Sequence, residues 1–126
     1  MTLTTIILLV LALYVVQLFL QETSHFGFDL WGIVGNRDNP PEMSVVARRL
    51  DRAKNNLLEA LPMFLALALL ALVKGRDTGE VADAALVFLI ARIVYVPAYA
   101  SGIPMLRSFV WLVGIASLAM MALPLI

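Results

Sequence analysis

Four long apolar stretches dominate this 126-residue chain and limit what it can fold into. The first, "LTTIILLVLALYVVQLFL" from Leu3 to Leu20, carries no charge. At 1.5 Å per residue it is long enough to cross the ~30 Å hydrocarbon core of a bilayer. Only 14% of residues are charged and 62% are hydrophobic, whereas about 25% charge is usual in soluble domains. Lipid cannot hydrogen-bond a backbone, so spans of this length must satisfy their peptide groups internally as helices. The expected fold is therefore all-α: an integral membrane four-helix bundle, with residues 1–126 forming a single domain. No basic segment precedes the first span and no A-x-A-like site follows it, so it is expected to persist as a helix and not be removed as a signal peptide.

The remaining composition excludes several function classes. Formal net charge is zero, and no basic tract is interleaved with aromatics, so nucleic acid is not an expected partner. Cysteine is absent, which removes disulfides, thiolate metal sites and a cysteine nucleophile. Any thiol chemistry needs a thiol brought by a substrate. The single histidine, His25, cannot form a multi-histidine metal site and reads as a solvated or interfacial side chain. No metal is expected.

Breaker residues set the boundaries. The first connection, Gln21 to Ser44, is broken up by glycine, proline, aspartate and asparagine, and its Phe26, Phe28 and Trp31 suit a membrane–water boundary. Asn39, Pro40, Pro41 and Glu42 resemble a capping box with proline in the first turn, predicting a helix from Pro41 to Val73. At ~48 Å, such a helix must begin outside the hydrocarbon. Lys74 to Glu80 is a hydrophilic turn in which Asp77 and Glu80 form a second capping-box pattern, opening a third helix that ends near Tyr99. A turn from Ala100 to Pro104 leads into a last helix that ends near Leu123. Arg37, Arg48, Arg49, Arg52 and Lys54 cluster in or after the first connection, while the second holds Lys74 and Arg76, and Arg107 flanks the third. The positive-inside rule then puts connections one and three in the cytoplasm and both termini outside.

Polar residues recur at helical spacing within the apolar regions. Arg49, Arg52, Asn56 and Glu59 are spaced three, four and three, which puts them within one stripe of ~80°. Arg92, Tyr95 and Tyr99 share a face of the third helix, and Arg107 and Trp111 share one on the fourth with Ser108 alongside. A charge in a span costs at least ~2.5–3.5 kcal/mol unless it faces protein or water. Arg92 and Glu59 are therefore expected to face the bundle interior, where a guanidinium can donate to the carboxylate. Two readings remain open. Arginines, one acid and two tyrosines make a site for a polar anionic ligand. Alternatively, Glu59 with Arg52 or Arg92 is a structural ion pair locking helices, and the tyrosines are packing. Met120 and Met121 read as filler, and Gly114 as a point of close helix approach.

The stretch "RRLDRAKNNLLEALPMF" resembles a signature of the MAPEG family, the membrane-associated proteins in eicosanoid and glutathione metabolism, through Arg52, Asn56 and Glu59 followed by Leu61, Pro62 and Phe64. "ARIVYVPAYASGIPMLRS" is similar to its second signature, through Arg92, Tyr95, Tyr99, Arg107 and Ser108, and "GNRD" at Gly35 to Asp38 is similar to its bacterial branch. The resemblance covers nearly the whole chain. It implies a homotrimer in a membrane, here a bacterial inner membrane, with glutathione bound as co-substrate between subunits near the cytoplasmic side. By the same resemblance, Arg52, Asn56, Glu59, Arg92, Tyr95 and Tyr99 contact glutathione, Arg37 contributes from the first connection, and Arg107 lies by the sulfur as the catalytic residue. Two positions depart from the pattern: Ala60 stands where some members have tyrosine, and Trp111 where a tyrosine often lies.

The implied chemistry suits these side chains. Arginines match the two carboxylates of glutathione, and Glu59 matches its ammonium. A nearby cation favours the thiolate, which is the nucleophile. A guanidinium does so by its charge, since it is no base. Lipophilic co-substrates would enter from the surrounding membrane lipids. The expected function is a glutathione-dependent transferase or peroxidase acting on lipophilic electrophiles or hydroperoxides. The alternatives are a non-catalytic lipid-binding or scaffold member of the same fold, and a small multidrug transporter. The transporter is disfavoured because such proteins use a membrane-embedded acid in the first helix, and here none precedes Glu22.

Overall fold

The computed structural model describes residues 1–26 and 44–126, except for the side chains of 21–26. Among the described residues there are four α-helices and no strand: α1 (Leu3–Phe26), α2 (Val45–Val73), α3 (Glu80–Ser101) and α4 (Pro104–Ala122), with a 3-10 turn at Leu123–Leu125. All four helices are long and apolar enough to cross a membrane. The chain is a multi-pass integral membrane protein.

The helix ends correct several expectations. α1 continues past Leu20 to Phe26, because Gln21, Glu22 and Thr23 end an apolar run without breaking a helix. α2 begins at Val45 instead of Pro41. Ser44 has an extended backbone, φ −65° and ψ 165°, and its hydroxyl accepts from the Ala47 backbone N–H at 3.1 Å, so Ser44 is the N-cap. The expected cap at Asn39 to Glu42 lies outside the described residues, as do Phe28, Trp31, Arg37 and the side chains of His25 and Phe26.

α3 is not capped by Asp77. Its N-cap is Gly79, at φ 64° and with no side-chain bond. The left-handed turn there delays the helix to Glu80 and leaves Asp77 too far back to reach the first free N–H groups. Glu80 and Asp83 occupy the first turn, where carboxylates complement the helix dipole. α3 runs two residues past Tyr99 and stops at Gly102, which has φ 77° and ψ 13°, the left-handed C-terminal stop that glycine adopts without strain. Pro104 then starts α4 at a position whose N–H would have no helical partner.

α3 packs against both α2 and α4, and α1 packs chiefly against α2. Phe64 of α2 stacks on Phe88 of α3 with centroids 4.7 Å apart and planes 12° apart. Leu3, Ile6 and Val10 of α1 close this core from one side and Leu118 and Met121 of α4 from another. Buried alanines let the backbones approach: Ala53, Ala60 and Ala68 on α2, and Ala84, Ala85, Ala91 and Ala98 on α3. In lipid this close packing, and not expulsion of water, holds helices together. At the end of this core Lys74 Nζ donates to the Leu125 carbonyl and Arg76 Nη1 to the Pro124 carbonyl, each at 2.6 Å, tying the α2–α3 turn to the 3-10 turn. A second, smaller cluster of Ala53, Ala91, Tyr95, Ala98 and Val110 lies toward the other end of the bundle. The polar residues gather there.

Candidate functional site

The periodicity of α2 and α3 brings Asn56 to Arg92. Arg92 Nη1 donates to Asn56 Oδ1 at 2.8 Å. Arg92 is only 3% exposed, and its guanidinium carbon lies 4.2 Å from the centre of the Tyr95 ring, in cation–π contact. One turn along α3, Tyr99 meets Tyr95 edge to face, with centroids 5.5 Å apart and planes at 67°. Arg107, near the start of α4, rests its guanidinium over the Tyr99 ring at 5.0 Å. The α3–α4 turn thus folds back so that residues distant in sequence become neighbours.

These side chains border a cleft of about 320 Å³ lined by Arg52, Asn56, Tyr95, Tyr99, Arg107, Ser108 and Trp111. Five of the predicted site residues line it together. Three helices contribute, and among the described residues no carboxylate does. With Asn56 Oδ1 engaged by Arg92, the Asn56 amide has its two N–H donors left for the cleft. Two guanidiniums in the lining, a third buried beneath, two phenols and an amide donor form a concave surface suited to an anionic ligand. A larger cleft of about 400 Å³ lies at the opposite end of the bundle. It carries Glu80 and Asp83 and no cation, so it does not suit an anion.

Two predicted residues sit elsewhere. Arg92 lies beneath the cleft, behind Asn56 and Tyr95, and its Nε and Nη2 are buried without a partner. Glu59 does not face the interior of its own bundle: it is exposed on α2, as is Arg52. The structural ion pair of Glu59 with Arg52 or Arg92, one of the two readings left open, does not form among the described residues. Asp51 with Lys54, at 3.0 Å, is the only ion pair among the described residues. The cause is angular. Asn56 takes the direction toward α3, and Glu59, three residues on, is rotated ~60° away from it. A stripe of ~80° is wide enough to straddle the interior and the outer surface of one chain.

Ser108 and Trp111 were noted in the sequence but not named as site residues, although both border the cleft. The four-residue spacing of Arg107 and Trp111 was the available signal. Gln17 gave none: a single amide within the apolar run Leu3–Leu20, it is 3% exposed, and among the described residues both its polar side-chain atoms are unpartnered.

The sequence matches the MAPEG family over residues 1–126. No curated protein and no solved structure matches it.

Proposed function

The chain belongs to the MAPEG family, and on that premise we propose that it is a glutathione-dependent membrane transferase or peroxidase acting on lipophilic electrophiles or hydroperoxides. The observation that carries this reading is the acid-free cleft, in which α2, α3 and α4 converge Arg52, Asn56, Tyr95, Tyr99 and Arg107. Its volume of about 320 Å³ falls within the ~300–1,000 Å³ usual for small-molecule sites.

In this proposal Arg52 and the Asn56 amide bind glutathione carboxylate, with the buried charge of Arg92 reinforcing them from below. Tyr95 and Tyr99 supply hydroxyl donors and aromatic walls. Glu59 takes the ammonium. Because Arg52 and Glu59 are exposed on α2, a neighbouring subunit is needed to enclose that end of the ligand, and the proposed assembly is a homotrimer. Arg37 adds a further cation from the first connection. Arg107 holds the sulfur as thiolate. In a transfer, the thiolate forms a bond to the electrophilic carbon and the leaving group departs with its electron pair. With a hydroperoxide, the sulfur takes the terminal oxygen, the O–O bond breaks and the alkoxide takes up a proton. A second glutathione then displaces water to give the disulfide. The proposed setting is a bacterial inner membrane with the cleft end cytoplasmic and both termini outside.

A lipid-binding role is the second reading. It is favoured by a wholly apolar groove of about 240 Å³ between α3 and α4, walled by Val87, Ile90, Val94, Phe109 and Val113 among others. One assay separates the two: conjugation of a chromogenic electrophile by purified protein in lipid nanodiscs, with and without glutathione. A glutathione-dependent rate above the uncatalysed reaction supports the enzyme. Its absence, with phospholipid or fatty acid co-purifying, supports the binding protein.

A further inference from the structure

Arg49 belongs to the polar stripe of α2 but does not line the cleft. It reaches instead to the turn between α3 and α4. Its Nη1 donates to the Ala100 carbonyl at 3.1 Å, across 51 residues of sequence. Ala100 is in the last turn of α3, where backbone carbonyls lack helical partners and the dipole favours a cation. The same guanidinium lies against Gly102. A β-carbon placed on Gly102 would come within 2.7 Å of Arg49 Cζ, Nη1 and Nη2. Gly102 is also the left-handed C-cap of α3, at φ 77°. Glycine is therefore favoured here by the backbone conformation, and a β-carbon would in addition push the flexible end of Arg49 out of its place.

The turn joins two cleft residues. Tyr99 precedes Gly102 by three positions and Arg107 follows it by five, and the geometry of the turn sets the 5.0 Å approach of the Arg107 guanidinium to the Tyr99 ring. We propose that Arg49 is a positioning residue: by bonding the Ala100 carbonyl and filling the space over Gly102, it locks the α3–α4 turn and so fixes Arg107 relative to Tyr99 in the cleft. Arg49 does not line the cleft. It acts through the backbone that carries Tyr99 and Arg107. Its importance to glutathione chemistry rests on the function proposed above, but the brace itself does not.

The test uses the full-length protein in nanodiscs and four variants: Arg49→Gln, Arg49→Lys, Gly102→Ala and the double Arg49→Gln/Gly102→Ala. The first readout is amide hydrogen exchange over residues 99–107 without ligand. Arg49→Gln loses a charge-assisted bond to backbone, so exchange there should rise about tenfold or more. Gly102→Ala should raise it too, both because alanine is strained at φ 77° and because its methyl group displaces the guanidinium. The double variant should be less perturbed than the sum of the singles, since both remove one interaction. The second readout is the ionisation midpoint of bound glutathione, followed by thiolate absorbance against pH, with affinity measured in parallel. Displacement of Arg107 should move the midpoint upward in Arg49→Gln and in Gly102→Ala, with affinity changing less than about threefold. Arg49→Lys keeps the charge without the planar fork and should recover only part of either readout.

Unchanged exchange in Arg49→Gln overturns the brace, whatever the ligand and whatever Gly102→Ala does. A loosened turn with the parent ionisation midpoint overturns the positioning role and leaves a structural one. Full recovery by Arg49→Lys would make the effect one of charge alone and also overturns it. A parent that binds no glutathione refutes the proposed function, while the exchange measurement still decides the brace. If Arg49→Gln fails to fold, Arg49→Lys and Gly102→Ala carry the same comparison.

Discussion

Replacing Arg92 with methionine should separate ligand binding from stability. Arg92 lies nine residues from the Ser101 end of α3, ~14 Å into the span, and is 3% exposed. Among the described residues it makes one hydrogen bond, to Asn56, and leaves Nε and Nη2 without partners. Arg92→Met forfeits that bond, worth about 1.5–3 kcal/mol for a charged donor, and a cation–π contact worth up to about 2 kcal/mol when desolvated. It also removes a buried charge whose desolvation costs on the order of several kcal/mol, and methionine fills much of the vacated volume without a polar atom. These effects cancel to within about 2 kcal/mol, so the melting temperature in detergent should stay near that of the parent. Ligand affinity should not. Without Arg92 the Asn56 amide can turn its oxygen toward the cleft, presenting an acceptor where an anion needs a donor. Loss of one such bond at about 1.5–3 kcal/mol weakens binding about tenfold to a hundredfold. Thermal unfolding and calorimetric titration with glutathione measure the two effects on the same sample. A variant that is destabilised by more than about 3 kcal/mol yet binds at parental affinity would refute this reasoning, and Arg92 would then be a structural strut.

Three further outcomes are expected. Glu59→Gln should lower glutathione affinity, by loss of a charge-assisted bond worth about 1.5–3 kcal/mol, without changing the oligomer. Unaltered affinity in calorimetry would remove Glu59 from the ligand site. Arg107→Ala should leave glutathione binding largely intact, raise the pKa of the bound thiol and slow turnover at neutral pH, each unit corresponding to about 1.4 kcal/mol. The lost rate should return as pH rises and the thiol ionises unaided, and Arg107→Lys should recover part; a pH–rate profile identical to that of the parent would reduce Arg107 to a helix-end anchor. Native mass spectrometry in mild detergent should show a homotrimer, and monomers or dimers alone across conditions would contradict the shared site.

Which features were legible in the sequence follows from the range of the forces involved. The four spans were, because burying backbone in lipid is a local demand that each apolar run meets by itself. The pairing of Arg52 with Asn56 and of Tyr95 with Tyr99 on common faces was also legible, because 100° per residue is a property of one helix. Five of the predicted residues, Arg52, Asn56, Tyr95, Tyr99 and Arg107, line one cleft. The capping boxes were less reliable. Asp77 has the right spacing to Glu80, but Gly79 takes a left-handed conformation and starts the helix after itself, and Ser44 caps α2.

Only the tertiary structure could rank the charged residues by environment. The cost of a charge in a span assigned both Arg92 and Glu59 to the bundle interior, yet Arg92 is buried against Asn56 and Tyr95 while Glu59 stands exposed on α2. The difference depends on how far α2 is rotated toward α3, and buried alanines such as Ala53 and Ala91 help set that rotation by where they allow close approach. Arg49 is the same case: its reach to Ala100 spans 51 residues and has no trace in local spacing. The sequence by itself determined which faces are polar and how many times the chain can cross a membrane, since both follow from interactions within a single helix. Which polar face meets which, which charge is buried, and which arginine braces a turn instead of lining a cleft were decided by packing between helices, because those outcomes depend on the relative rotation and depth of segments that no single segment encodes.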